Sequence, residues 1–399
     1  RLKRMNDDPF FMTNSPRKYR KPVFCPFTGM AGLYIHIPFC KQACTYCNFH
    51  FSTNLKYTDE LVTALHRELA QRKTFLPGRR ISTIYFGGGT PSLLRAGQIK
   101  SLISDIQAWY EVDPEPEVTL EANPDDLNPL YLHQVREAGI NRLSIGVQSF
   151  FDEDLKFMRR AHHSGQALDS IRMSKDAGFE NITIDLIYGI PGSSMDQWRQ
   201  NLFQAFELEV PHLSCYALTV EPRTILSDWI KKGKAAVPDE EETIRQFEFL
   251  MEEAERRGWR HYEISNFAKA GFESRHNSSY WEGTEYLGIG PSAHSYREGE
   301  RQWNVANNHL YLKALAEGLP HYESEQLSRE NIYNEYILTR IRTAAGLDLF
   351  SVPESFRAHL VRCADKHLQQ GHLEQEGNFY RLTRKGKFIA DRVTVDLFL

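Results

Sequence analysis

A chain of 399 residues, 41 % hydrophobic and 25 % charged, has room for one large domain and a small companion, and its composition is that of an ordinary globular protein. The formal charge of −4 offers no global attraction to nucleic acid or to an anionic membrane, and no apolar run is long enough to cross a bilayer. Six cysteines in so long a chain exclude a disulfide framework. Cys40, Cys44 and Cys47 fall close together, while Cys25, Cys215 and Cys363 are scattered, a pattern that fits a thiolate metal site in a reducing, cytoplasmic compartment.

Residues 1–29 mix Pro, Asn, Asp, Arg and Lys without a helical or strand period and without the apolar core of a secretory signal. They read as an N-terminal extension or leader, with Met30 as the expected natural start; a loosely packed arm is the alternative. From Met30 the pattern becomes regular. Strands are expected over 33–38, 83–87, 117–122, 142–148, 181–187 and 212–218, and helices over 59–72, 96–109, 129–138, 166–177 and 195–208. In the first helix Leu61, Val62, Leu65 and Leu69 recur at helical spacing, and Gly139 and Gly178 stand where C-terminal caps belong. Six strand–helix units in series imply a parallel sheet with helices outside, over a domain 30–219. Periodicity leaves an open doubly wound sheet and a partial barrel both possible, and either places function at the C-terminal ends of the strands.

After Leu218 the alternation lapses. One helix is expected over 240–257, then a stretch rich in Gly, Asn, Trp and Tyr to about residue 303, within a segment 220–320. From Ser328 the chain reads as helices followed by a hairpin over 373–382, turning at Gly377-Asn378. That is a winged-helix-like α+β pattern for a C-terminal domain, 321–399. Its Arg381, Arg384, Lys385 and Lys387 raise a nucleic-acid reading, but Glu374, Glu376, Asp391 and Asp396 offset them, so no nucleic-acid partner is expected.

The three clustered cysteines directly follow the first strand, in Cys40-x3-Cys44-x2-Cys47 spacing. Three thiolates on one loop can reach three corners of a four-iron cube, leaving one iron open to a small molecule. A zinc site completed by His36 or His50, or three buried structural cysteines, would also account for them. Further polar groups recur where successive strands end: Gly87-Gly88-Gly89-Thr90-Pro91 after the second, Glu121 in the third, Gln148 in the fourth, Asp185 in the fifth. Any one could be a cap or a turn residue, but a structural reading does not require all of them at strand ends.

This cysteine spacing after a first strand, with Tyr46 before Cys47 and the later segments in order, resembles the radical S-adenosylmethionine (SAM) superfamily. From Met30 onward the chain is most similar to its oxygen-independent coproporphyrinogen III oxidase group. The resemblance implies a partial (β/α)6 barrel like an incomplete TIM barrel, a [4Fe–4S] cluster on Cys40, Cys44 and Cys47, and SAM at the open iron. It implies that Tyr34 and Tyr46 flank the cluster and that Gly88, Gly89 and Thr90 receive the methionine amine. Glu121, Gln148, Arg160 and Asp185 then complete the SAM site; Arg160 suits a carboxylate because guanidinium pairs with it bidentately. The superfamily's chemistry is reductive cleavage of SAM, which calls for an electron donor.

Two features separate branches of that group. The decarboxylating oxidases carry a fourth cysteine two places after the third, where this chain has Phe49. The heme-chaperone branch carries His-Asn-x-x-Tyr-Trp, present as His276-Asn277-Ser278-Ser279-Tyr280-Trp281. An imidazole can ligate heme iron, and Tyr280 and Trp281 can pack on a porphyrin; a buried hydrogen-bonded histidine with two core aromatics would also fit. The expectation is a heme chaperone that passes heme to an acceptor protein, has no catalytic residues for coproporphyrinogen and leaves peripheral membrane contact open. The oxidase itself is the alternative.

Overall fold

The computed structural model describes residues 29–399; the expectations for the N-terminal extension, and Cys25, lie outside the described residues. Six parallel strands and their helices come first: β1 (Met30–Ile37), α1 (Thr58–Gln71), β2 (Arg80–Gly88), α2 (Ala96–Trp109), β3 (Glu111–Ala122), α3 (Pro129–Glu137), β4 (Arg142–Gln148), α4 (Asp152–Phe157), α5 (Ser164–Asp176), β5 (Asn181–Tyr188), α6 (Met195–Glu207) and β6 (His212–Ala217). These strands lie side by side in sequence order, each parallel to the last. A doubly wound sheet reverses its order at a switch point, so unbroken sequential order is the winding of a barrel.

The strands alternate along most of their length, with register breaks in β1, β2 and β4. Leu33, Ile35 and Ile37 of β1, Ile84 and Phe86 of β2, and Leu143, Ile145 and Val147 of β4 are buried in one core with Leu61 and Leu65 of α1 and Ile99 and Leu102 of α2. The intervening residues form the other face, and they are polar or aromatic: Tyr34 and His36, Thr83 and Tyr85, Glu117 and Glu121, Arg142 and Ser144, Thr183 and Asp185. Period-two geometry thus sends the apolar set to the helices and reserves the barrel interior for chemistry.

The segment 220–320 is woven into the same sheet. It comprises α7 (Ile225–Lys231), α8 (Glu240–Arg256), β7 (Arg260–Glu263), β8 (Asn266–Ala268), α9 (Arg275–Trp281), β9 (Tyr286–Ile289), β10 (His294–Arg297), β11 (Glu300–Asn304) and α10 (Asn308–Glu317). β8 joins the outer edge of β6 and carries β7, while β9 pairs parallel with β1 and leads through β10 and β11 to β12 (Tyr322–Gln326). The result is twelve strands with the six-stranded barrel at their centre. α9 closes the lower end of the barrel: the Glu117 carboxyl accepts hydrogen bonds from the free backbone N–H groups of Arg275 and His276 at 3.0 and 2.9 Å.

The C-terminal part has a core of its own, built on Tyr333, Ile337, Leu360, Tyr380 and Val393. α11 (Arg329–Arg340), β13 (Leu347–Asp348), α12 (Glu354–Gln369), β14 (Leu373–Glu376) and β15 (Phe379–Leu382) form helices on a small sheet of order β13-β15-β14.

Candidate cofactor site

The cysteine loop leaves β1 at Ile37 and is pinned at both ends. Cys40 N–H donates to Ser52 O at 3.1 Å, Ser52 N–H to Pro38 O at 2.8 Å, and the buried Thr45 N–H to Met158 O at 3.1 Å. Lys41 bridges to Asp125 at 2.6 Å and also to Asp126, tying the loop to the end of β3. The three thiols are half-buried and flank one cavity of about 420 Å³. Burial pushes the Cys40 thiol up to about 11, with Thr90 acting the other way through a hydrogen bond, and burial also raises Cys47.

The strand-end groups surround this cavity. Arg160 donates to Asn123 Oδ1 at 2.5 Å and Gly146 O at 2.9 Å, lies 3.4 Å from Cys44 Sγ, and rests against the Tyr46 hydroxyl. Its Nε is buried without a partner, a donor left for a ligand. Glu121 accepts from Tyr85 Oη at 2.8 Å and Gly88 N at 3.0 Å, and burial pushes its carboxyl up to about 7. Asp185 is pushed up to about 6 by burial, opposed by a hydrogen bond from Ser214. Gln148 holds a left-handed backbone, φ 67°, at the end of β4, strain of the kind found where a ligand site constrains the chain. At Gly89 an added Cβ would lie 2.6 Å from Phe39 O, and at Gly88 2.6 Å from the His36 ring. The glycine run therefore lets β2 close on the cysteine loop as well as line the cavity. Asn123, which sequence reasoning passed over, links Arg160 to Thr90 Oγ1 (3.2 Å). The inward alternation Glu117, Thr119, Glu121, Asn123 was the signal that could have found it.

Two expectations change. Tyr34 does not border the cysteine cavity. It lies in the wall of a second cavity of about 590 Å³, its hydroxyl 3.2 Å from His36 Nδ1, because its place on β1 is below the loop's departure. Tyr280 and Trp281 line that second cavity too, but His276 lines neither. Its ring is buried beneath Tyr34 and Tyr85 at the barrel floor. Nδ1 lies 2.7 Å from Thr83 Oγ1 and Nε2 2.9 Å from Tyr280 Oη, and burial pushes it down to about 3. With both nitrogens engaged and its ring buried, His276 presents no face to either cavity in this structure. The zinc alternative loses its fourth ligand similarly: His36 is held by Tyr34 and His50 O, and His50 Nε2 by Asn308 Oδ1 at 2.7 Å.

The two cavities share Phe49, Gly88 and Glu121 as a common wall. The second is bounded by aromatic side chains of β1, α9 and β9–β10 and by α11 of the C-terminal part. Trp281 Nε1 and Arg301 Nε, both on its lining, are buried without partners.

A partial barrel with three cysteines after its first strand and polar and charged side chains gathered around one cavity at its strand ends has the architecture of a radical SAM protein. Residues 34–204 match the Radical SAM superfamily and residues 327–389 the HemN C-terminal domain. The chain is 35 % identical to the heme chaperone HemW of Bacillus subtilis over 91 % of this chain and 98 % of that protein. With HemW of Escherichia coli it shares 31 % over 92 % and 97 %. The solved E. coli coproporphyrinogen III oxidase HemN, a radical SAM enzyme, superposes with a TM-score of 0.80 over 92 % of this chain and 90 % of that one, at 22 % identity, a likeness of fold. The chain belongs to the HemW family. The cofactors of its superfamily are the [4Fe–4S] cluster and SAM, and the residues fit both: three thiols on one open loop, an unpartnered guanidinium donor and two buried carboxyls around one cavity.

Proposed function

We propose that the chain is a heme chaperone, holding heme in the second cavity, next to the cluster cavity, and passing it to an acceptor protein. The observation that carries this reading is the second cavity itself. Its aromatic wall suits a flat apolar ring, and its unpartnered donors Trp281 Nε1 and Arg301 Nε suit carboxylates at the ring's edge. Heme is such a ligand, an apolar macrocycle with two propionates, and the HemW relatives carry the name heme chaperone. In the neighbouring cavity Cys40, Cys44 and Cys47 would hold the cluster, and Arg160, Glu121 and Asp185 would seat SAM. When bound, cluster and SAM supply one-electron chemistry, for which an electron donor is part of the proposal.

The oxidase is the second reading, favoured by the shared wall at Gly88 and Glu121, which would bring a tetrapyrrole beside SAM. Phe49, 71 % exposed between the cavities, weighs against it. The test is an anoxic incubation of reconstituted protein with coproporphyrinogen III, SAM and reductant, beside a transfer assay from heme-loaded protein to an apo-hemoprotein. Heme transfer without protoporphyrinogen is expected; turnover without transfer would give the function to the oxidase.

A further inference from the structure

If heme occupies the second cavity, its iron needs a ligand, and the burial of His276 leaves that place open. Three histidines line the cavity: His36, His50 and His294. His36 has both ring nitrogens engaged, and His50 has Nε2 on Asn308. His294 differs from both. It is the exposed one, and among the described residues its ring has no hydrogen-bond or ion-pair partner; an aromatic neighbour, Trp303, stands 6.4 Å away centroid to centroid.

Its backbone, in contrast, is fixed. β10 is paired to β11 with His294 opposite Trp303. The turn before it runs through Gly290, φ 106°, where a Cβ would lie 2.5 Å from His36 O, and Ala293 N–H donates to Gly290 O at 3.2 Å. Ser295, buried, accepts from Gly288 N at 3.0 Å. A rigid strand presenting a free imidazole into a cavity is a preorganised ligand. Burial and Arg301 both lower His294 below the ordinary histidine value, which favours the neutral imidazole that coordinates iron.

Arg340 of α11 lines the same cavity. Among the described residues its guanidinium has no carboxylate partner, unlike that of Arg301, which is bound to Glu335 at 2.8 Å. Arginine meets a carboxylate with two parallel N–H donors.

We propose that His294 is the axial ligand to heme iron in this cavity and that Arg340 pairs with a heme propionate, an inference that rests on the heme-chaperone reading. One ring nitrogen gives its lone pair to iron and the other keeps its proton; the bond is dative, so nothing is oxidised or reduced.

The test is an anaerobic absorption titration of full-length protein with heme, for wild type, H294A, H276A and R340Q. H294A should shift the Soret band and weaken binding about tenfold or more, and added imidazole should restore the wild-type band position. H276A, if it folds, should keep the wild-type band position. R340Q should weaken heme but leave heme dimethyl ester, which lacks free carboxylates, unchanged. A wild-type spectrum in H294A, or a Soret shift in H276A that imidazole reverses, would overturn the ligand assignment while leaving the chaperone reading in place. Equal weakening of heme and its dimethyl ester in R340Q would overturn the propionate contact. Failure of the wild type to bind heme would remove both the inference and the reading beneath it.

Discussion

At the scale of single residues, the proposed cluster would rest on three thiols that no other described cysteine can replace: Cys215 is buried in β6 and Cys363 lies in α12, and neither lines the cavity. Replacing Cys40, Cys44 or Cys47 by Ala should abolish the [4Fe–4S] absorption after reconstitution, because two thiolates do not hold the cube. C215A and C363A should keep iron and sulfide content. R160A should keep the iron yet blunt the change in the reduced cluster's EPR spectrum on adding SAM. Glu121 supplies a pH prediction. Burial raises its carboxyl to about 7, against an unfolded value near the ordinary ~4.3, so between these limits the folded protein binds more protons than the unfolded one. Stability therefore falls as pH rises through that window, and E121Q, which cannot ionise, escapes the loss. The variant should gain roughly 1–3 kcal/mol over wild type on going from pH 5 to pH 7.5, read as a difference in urea midpoints of the apoprotein; an equal offset at both pH values would refute it.

At the scale of elements, the barrel was legible because its strands obey one rule over most of their length, apolar outward and polar inward. β4 falls on residues 142–148 and α2 on 96–109, as the pattern predicts, since both are bounded by changes of period. The strands after β6 were not legible. β9 is four residues long, and its pairing with β1 joins parts of the chain more than two hundred residues apart, a contact that no local pattern carries. The depth of His276 was not legible for a related reason. Its motif was visible, but its depth depends on α9 tucking beneath the barrel, which Glu117 arranges from a distant strand. Glu68 shows the same limit. It stands in the apolar stripe of α1, fully buried, and accepts from Gly290 N and Asn304 Nδ2 at 2.8 Å each and from Tyr311 Oη at 2.5 Å, with His321 Nε2 at 3.1 Å. One carboxyl thus fastens the β9–β12 extension and α10 to the barrel. E68A strands four partners in a dry interior and should cost about 2–5 kcal/mol, measured by chemical denaturation; a loss below about 1 kcal/mol would show that water takes over its role.

At the scale of the whole molecule, the proposed function follows from what packs beside the barrel. The six strands bring the cysteine loop and the strand-end polar residues around one cavity, and α9, the added strands and α11 make a second cavity beside it from parts that are far apart in sequence. Among the described residues no helix is long and apolar enough to cross a membrane. The central claim is that one chain carries two neighbouring sites, one for the cluster and one for heme. The measurement that tests it most directly is an anaerobic absorption titration of cluster-loaded protein with heme. The account predicts a Soret band that saturates at about one heme per chain while the cluster's own absorption persists. A band that fails to saturate, or that grows only as the cluster signal is lost, would contradict it.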